Sequence, residues 1–125
     1  LHGIAIDVNP LIDALPILAV LGCFAKGETF LYNAGIARAK ESDRLAAITK
    51  ELRKMGATII EEEESLLIKS TPLFGAALEG HNDHRIAMAL VVAARRAFGK
   101  STIAGIECIQ KSYPNFTNEL ACIIT

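Results

Sequence analysis

The chain has 125 residues, of which 51% are hydrophobic and 22% charged, and its formal net charge is -1. That composition is globular rather than disordered, and the length suits one domain or a large piece of one. No global basic excess argues for nucleic acid, and no apolar run reaches the roughly 18 residues of a membrane span: residues 11–25 come nearest, but Asp13 and Pro16 interrupt them.

In chain order, residues 3–8 read as a short strand, which Asn9-Pro10 breaks. A helix is expected over residues 13–25, with Asp13 as N-cap and Pro16 in the first turn, where a missing N–H costs little. Gly27 ends it, and residues 28–33, rich in Thr, Phe and Tyr, read as a second strand. Ser42 is expected to cap a second helix, whose Leu45, Ile48, Leu52 and Met55 form one apolar stripe before Gly56. Residues 57–62 and 65–70 read as a hairpin, and residues 73–78 as a further strand. Asn82 or Asp83 caps a long helix running to about residue 98, ended by Gly99; a strand over 101–105 and a closing helix over 116–123 follow. The fold class is therefore α/β (α+β), in the order β-α-β-α-β-β and then the start of the same order again.

A shift of 70 overlays the two halves (83 − 13 = 70), bringing Asp13 onto Asp83, Ala19 onto Ala89, Ala34-Gly35-Ile36 onto Ala104-Gly105-Ile106 and Ser42 onto Ser112. That pattern suggests a duplicated unit, approximately 3–70 and 71–125, each half too small to close a core alone. The three cysteines, Cys23, Cys108 and Cys122, form no pair or cluster with metal spacing. An odd count without a framework fits a reducing cytoplasm, with Cys23 a small core residue. There is no signal-peptide pattern, and the chain opens on Leu1 rather than Met, so an upstream segment is expected.

Charge gathers at three helix starts: Asp13, the run ARAKESDR at 37–44, and NDHR at 82–85. Helix N-termini carry free N–H groups and partial positive charge, and suit phosphate or carboxylate ligands. The plainer reading stands beside this one. Asp13 and Asp83 can be simple N-caps, Lys40, Glu41 and Arg44 surface residues, and Lys50, Glu51, Arg53 and Lys54 a solvated helix face. Glu61 to Glu64 read as a wet hairpin turn. His81 and His84 lack a third ligand at a suitable spacing, so no metal site is expected.

The run ARAKESDR resembles the R-x-K-E-[ST]-D-R segment of the 5-enolpyruvylshikimate-3-phosphate synthases. Three further segments are similar to that family and fall in its order. LIDALPILAV (11–20) resembles its Pro-Asp or Ile-Asp helix start, HNDHRIAMAL (81–90) its D-H-R-[IM]-A-M helix, and CIQKSYPNF (108–116) its C-x-x-K-[ST]-[FY]-P-x-F ending. Together the four cover nearly the whole chain.

The resemblance implies an enolpyruvyl transferase of two domains, each of three β-α-β-α-β-β units, of which this chain supplies about two of the three in the C-terminal domain. The partners implied are phosphoenolpyruvate, shikimate 3-phosphate and the N-terminal domain of the same chain, in a cytoplasmic monomer without metal or organic cofactor, nucleic acid or membrane. By the same resemblance Asp13 accepts the proton of the 5-hydroxyl and Glu41 protonates the methylene carbon. Lys40 and Asp13 contact shikimate 3-phosphate; Arg44, Arg85 and Lys111 hold phosphoenolpyruvate; His84 stands behind them. Ile36 departs from the pattern, since some members carry Asn there. The G-N-A-G-T loop, Lys-Ser pair and Ser-Ser-Gln segment of the family's other half are absent, so this site is incomplete and the fragment alone should be inactive. Two other readings are a UDP-N-acetylglucosamine enolpyruvyl transferase relative and a non-catalytic anion-binding remnant.

Overall fold

The computed structural model describes residues 2–105. Strand β1 (Ala5–Asp7) leads through a 3-10 segment (Asn9–Ala14) into helix α1 (Leu15–Phe24), then strand β2 (Glu28–Tyr32). A second 3-10 turn (Gly35–Ala39) precedes helix α2 (Arg44–Lys54) and the hairpin β3 (Thr58–Glu61) and β4 (Leu66–Lys69). The second half holds β5 (Ala77–Glu79), α3 (His84–Arg96) and β6 (Thr102–Ala104). The first half thus realises the order β-α-β-α-β-β. The expected closing helix over 116–123 lies outside the described residues.

Four strands pair in the order β1-β2-β4-β3, with β1 parallel to β2 and the rest antiparallel, while β5 and β6 form a separate parallel pair. Parallel neighbours need a crossover, and α1 and α3 supply it. The three helices pack on one another, α1 against both α2 and α3. Helix α1 is apolar around most of its circumference, which suits a central place: Leu15, Pro16, Ala19, Val20, Gly22 and Cys23 are all buried. The expected stripe of α2 is the core face, since Leu45, Ile48, Leu52 and Met55 are 0–1% exposed. Burial pushes the Cys23 thiol up to about 12, so the residue behaves as an inert packing group.

The two βαβ halves repeat with an offset of 72 rather than 70. Ala5 pairs with Phe30 as Ala77 pairs with Thr102 (77 − 5 = 72; 102 − 30 = 72). The bridge His2–Lys26 recurs as Phe74–Phe98 at the same offset. A Cβ at Gly3 would run into the backbone of Glu28, and one at Gly75 into that of Lys100, so glycine marks the same close strand approach twice. Asn33 (φ 59°) and Gly105 (φ 73°) end β2 and β6 in the left-handed region. The helices break this frame: α3 begins only 69 residues after α1 (84 − 15 = 69). Residues 8–14 connect β1 to α1, whereas residues 80–83 connect β5 to α3.

Two of the expected caps are corrected and a third is settled. Asp13 does not cap α1; Ala14 holds the N-cap position without a side-chain bond, with Pro16 in the first turn as expected. Asp43, not Ser42, caps α2 by accepting from the Ala46 N–H at 3.1 Å. Of the two candidates for α3, Asp83 is the cap, accepting from the Arg85 N–H at 3.0 Å. The strand expected over 73–78 is shorter and lies later, because Phe74 makes only an isolated bridge before β5 begins at Ala77.

Candidate active site

Arg44 organises the charged cluster. It opens α2, directly after the Asp43 cap, and its side chain is 2% exposed. The Nε donates to Asp83 Oδ2 at 2.9 Å and Nη2 to Asp83 Oδ1 at 3.1 Å, a forked pair with a carboxylate that is itself fully buried. Nη1 donates to Asp13 Oδ1 at 3.0 Å, and Nη2 also donates to Glu41 Oε2 at 2.8 Å. Ser42 Oγ donates to Asp83 Oδ2 at 2.7 Å, which explains the hydroxyl at that position better than the cap it fails to form. One guanidinium therefore ties together the connection before α1, the loop before α2 and the cap of α3.

The electrostatics follow from this geometry. Burial disfavours the charged form of Asp83, yet the bonds from Arg44, Ser42 and the Arg85 N–H outweigh it and hold the carboxyl below its ordinary range. Burial would likewise lower the Arg44 guanidinium, but Asp83, Glu41 and Asp13 raise it above its ordinary value. The pair is thus ionised and mutually committed. Around it lie more exposed groups: Lys40 Nζ is 3.8 Å from Asp13 Oδ1, and His84 Nδ1 is 3.2 Å from Glu41 Oε2. Asp13 and Glu41 keep 55% and 51% of their side-chain surface exposed. Asp13 and Arg85 also line the rim of a hollow of about 290 Å³ between α1 and α3, floored by Ile17, Met88, Ala89 and Val92.

The structure therefore brings together five of the expected site residues, Asp13, Lys40, Glu41, Arg44 and His84, with Arg85 across the hollow from Asp13. Lys111 and the segment 108–116 lie outside the described residues. Ile36 is 53% exposed on the second 3-10 turn. Glu41, Asp83 and His84 place ligand atoms within 4.8 Å of one another, as a metal site would. Arg44 already sits at 2.8–3.1 Å from Glu41 and Asp83, so a dication there would have to displace a guanidinium.

Three residues gain roles that pattern alone did not give them. Asp83 is the buried counter-ion of Arg44 as well as a cap. Arg38 binds Asp43 (3.0 Å), Glu61 (3.0 Å) and the carbonyls of Glu62 and Glu63 (2.8 Å each), clasping the hairpin turn to the loop before α2. Glu51, expected on a solvated face, is fully buried and bonded to Lys54, His81 and the Glu79 N–H. The spacing of Arg44 and Glu51 carried a signal: seven residues apart, they share one side of α2 at the margin of its apolar stripe.

Packed helices beside a mixed four-stranded sheet and a parallel strand pair match solved enolpyruvyl transferases in fold. One solved member, the enolpyruvyl transferase NikO from Streptomyces tendae, matches in fold with a TM-score of 0.75 at 22% identity, over 96% of this chain and 27% of that one. The EPSP synthase (3-phosphoshikimate 1-carboxyvinyltransferase) family model matches residues 1–120, and the chain belongs to that family. A solved EPSP synthase from Acinetobacter baumannii is 35% identical with a TM-score of 0.89, covering 94% of this chain and 29% of that one. The 3-phosphoshikimate 1-carboxyvinyltransferase of Chlamydia caviae is 57% identical over 116 residues, 93% of this chain and 26% of that relative. The chain thus spans about a quarter of the length of the curated relatives it matches. Among the described residues, no helix is long and apolar enough to cross a membrane.

Proposed function

We propose that this segment forms one wall of the active site of a 3-phosphoshikimate 1-carboxyvinyltransferase, which joins phosphoenolpyruvate to the 5-hydroxyl of shikimate 3-phosphate and releases phosphate. The observation that carries the reading is the convergence of Asp13, Lys40, Glu41, Arg44 and His84 at three adjacent helix starts, beside a hollow rimmed by Arg85. In this reading residues 3–70 and 71–125 are two units of one domain, and a second domain on the same chain closes over the site in a cytoplasmic monomer.

The reaction is addition followed by elimination through a tetrahedral ketal, and it needs a proton acceptor at the hydroxyl and a donor at the methylene carbon. Asp13 and Glu41 are half-exposed carboxyls on opposite sides of one guanidinium and take those two roles. Lys40, close to Asp13, neutralises shikimate 3-phosphate. Asp83, which is fixed, takes the N–H of Nε and one of Nη2; Asp13 takes one of Nη1 and Glu41 the other of Nη2. A donor carboxylate can take their places on Nη1 and Nη2, releasing both groups for proton transfer as it binds. Arg85 and Lys111 complete the clamp, and His84 orients Glu41.

Phosphate release by the full-length protein carrying this segment, with both substrates present, tests the reading. Turnover with shikimate 3-phosphate supports it. Turnover only with UDP-N-acetylglucosamine as acceptor, or with neither, sinks it. The isolated 125 residues should show no turnover, because the facing wall supplies orientation that accounts for about 7–11 kcal/mol of a barrier in favourable cases.

A further inference from the structure

Arg44 has a counterpart on its own helix. Glu51 lies two turns along the same face of α2, and its carboxylate reaches the same connection that Arg44 grips. Glu51 Oε1 accepts the Glu79 N–H at 2.9 Å and Lys54 Nζ at 2.8 Å, and Oε2 bonds His81 Nε2 at 2.7 Å. Glu51 is 0% exposed, whereas the His81 side chain keeps 24% of its surface and Lys54 38%. A carboxylate held without solvent is stable only where its partners are in place, and these three partners take three of its roughly four acceptor sites.

The turn it holds is strained. His81 and Asn82 are consecutive non-glycine residues in the left-handed region, at φ 57° and 51°. Such conformations persist only where the surroundings over-determine them. Here they are determined by the two Glu51 bonds, by Glu79 Oε1 accepting the His81 N–H at 3.2 Å, and by the Gly80 N–H donating to Ala104 at 2.8 Å. The very next residues are Asp83, His84 and Arg85.

We infer that Glu51, acting with His81, is a positioning residue for the candidate site: it holds the 79–83 turn so that Asp83 meets Arg44 and Arg85 faces the donor substrate. Arg44 and Glu51 are two grips of one helix on one turn, the first at its end and the second at its start. The inference rests on the proposed transferase reading only for which substrate suffers; the hold on the turn stands apart from it.

Amide hydrogen exchange of residues 79–85 in the full-length protein, with α1 as internal control, and steady-state kinetics for each substrate test this. His81→Ala removes one bond from a partly exposed site. It should speed exchange of 79–85 about tenfold, leave α1 unchanged, and raise KM for phosphoenolpyruvate about tenfold while kcat moves less. His81→Gln, whose amide can donate to the same oxygen, should restore both. Glu51→Ala should act in the same direction and more strongly; should it fail to fold, the His81 pair decides. Wild-type exchange and KM in His81→Ala would overturn the inference, as would damage that His81→Gln does not repair. If the wild type turns over neither substrate, the exchange result still decides the hold, so the transferase reading and the positioning role fail separately.

Discussion

The two strand-to-helix connections make an instructive pair. After β1, residues 8–14 run through a 3-10 segment and leave Asp13 half exposed at the head of α1; after β5, residues 80–83 turn sharply and place Asp83 at zero exposure as the cap of α3. Both carboxylates bind the same guanidinium. Three extra residues in the first connection are what separate them: the longer path leaves Asp13 one residue short of the cap position, where it keeps water and a single hydrogen bond to Arg44. The shorter path forces Asp83 into the cap and a forked pair. One architecture yields a structural carboxylate and an available one.

Removing the buried member should do the most damage. Asp83→Ala removes the one buried, forked partner of Arg44, leaving it only the half-exposed Asp13 and Glu41, and deletes the α3 cap. Breaking a buried pair from one side typically costs about 3–5 kcal/mol, and urea titration of the full-length protein should show a loss of that size. A loss no larger than that of Asp13→Asn would abolish the distinction between the two aspartates.

Asp13→Asn should do the reverse. With 55% of its side chain in water, Asp13 contributes little to the fold, and surface changes of this kind stay within about 0.5 kcal/mol. Turnover should fall about 10²–10⁴-fold, as it should for Glu41→Gln, since neither amide can exchange the proton. Calorimetric titration should find shikimate 3-phosphate binding nearly intact in Glu41→Gln.

Acid should separate the aspartates again. Asp83 is held below its ordinary range, as Glu51 is, once burial of each is outweighed by its donors. A depressed folded value gives stability that is fully present above the unfolded carboxylate value of about 4 and is lost as pH falls through the folded one. The wild-type stability–pH curve should therefore fall steeply on its acid side, and Asp83→Asn should flatten that fall. An unchanged acid limb in the variant would mean that Asp83 is not ionised in the folded protein.

How much of this was legible in the sequence depends on the range of the interaction. The α2 stripe, the β3–β4 hairpin and the order of the first six elements follow from local periodicity and turn residues, and the structure has them. The charged motifs at 37–44 and 82–85 also lead into helices, as their pattern implies. Glu51 was misread because Lys50-Glu51 and Arg53-Lys54 look like a solvated face; its burial is set by Glu79 and His81, 28 and 30 positions away. A shift of 70, set by matching Asp13 to Asp83, falls between the strand offset of 72 and the helix offset of 69 because the connections are unequal. Strand pairing, which shows 72, is not visible to residue identity: Phe30 and Thr102 share a place but no chemistry. Ser42 reads as a cap because caps are local, while its partner Asp83 lies 41 residues on.

The smallest expected effect tests that offset directly. At an offset of 72, Asn33 stands where Gly105 does, and both follow the second strand of a parallel pair with positive φ. Asn33 tolerates the conformation and uses its side chain, donating from Nδ2 to Asp7 Oδ1 at 3.2 Å across the parallel pair. Asn33→Ala loses that exposed bond and keeps a Cβ in the left-handed region, without the local hydrogen bonding that makes Asn acceptable there; the cost should be about 1–2 kcal/mol. Asn33→Gly loses the same bond but relieves the backbone, at the expense of a more flexible unfolded chain worth about 0.4–1 kcal/mol. The two terms nearly cancel, so the glycine variant should lie within about 0.5 kcal/mol of wild type by urea titration. The gap between the two variants measures the strain at the strand end. If alanine is tolerated as well as glycine, that strain is absent, and the shared positive φ ceases to be evidence that β2 and β6 occupy equivalent places.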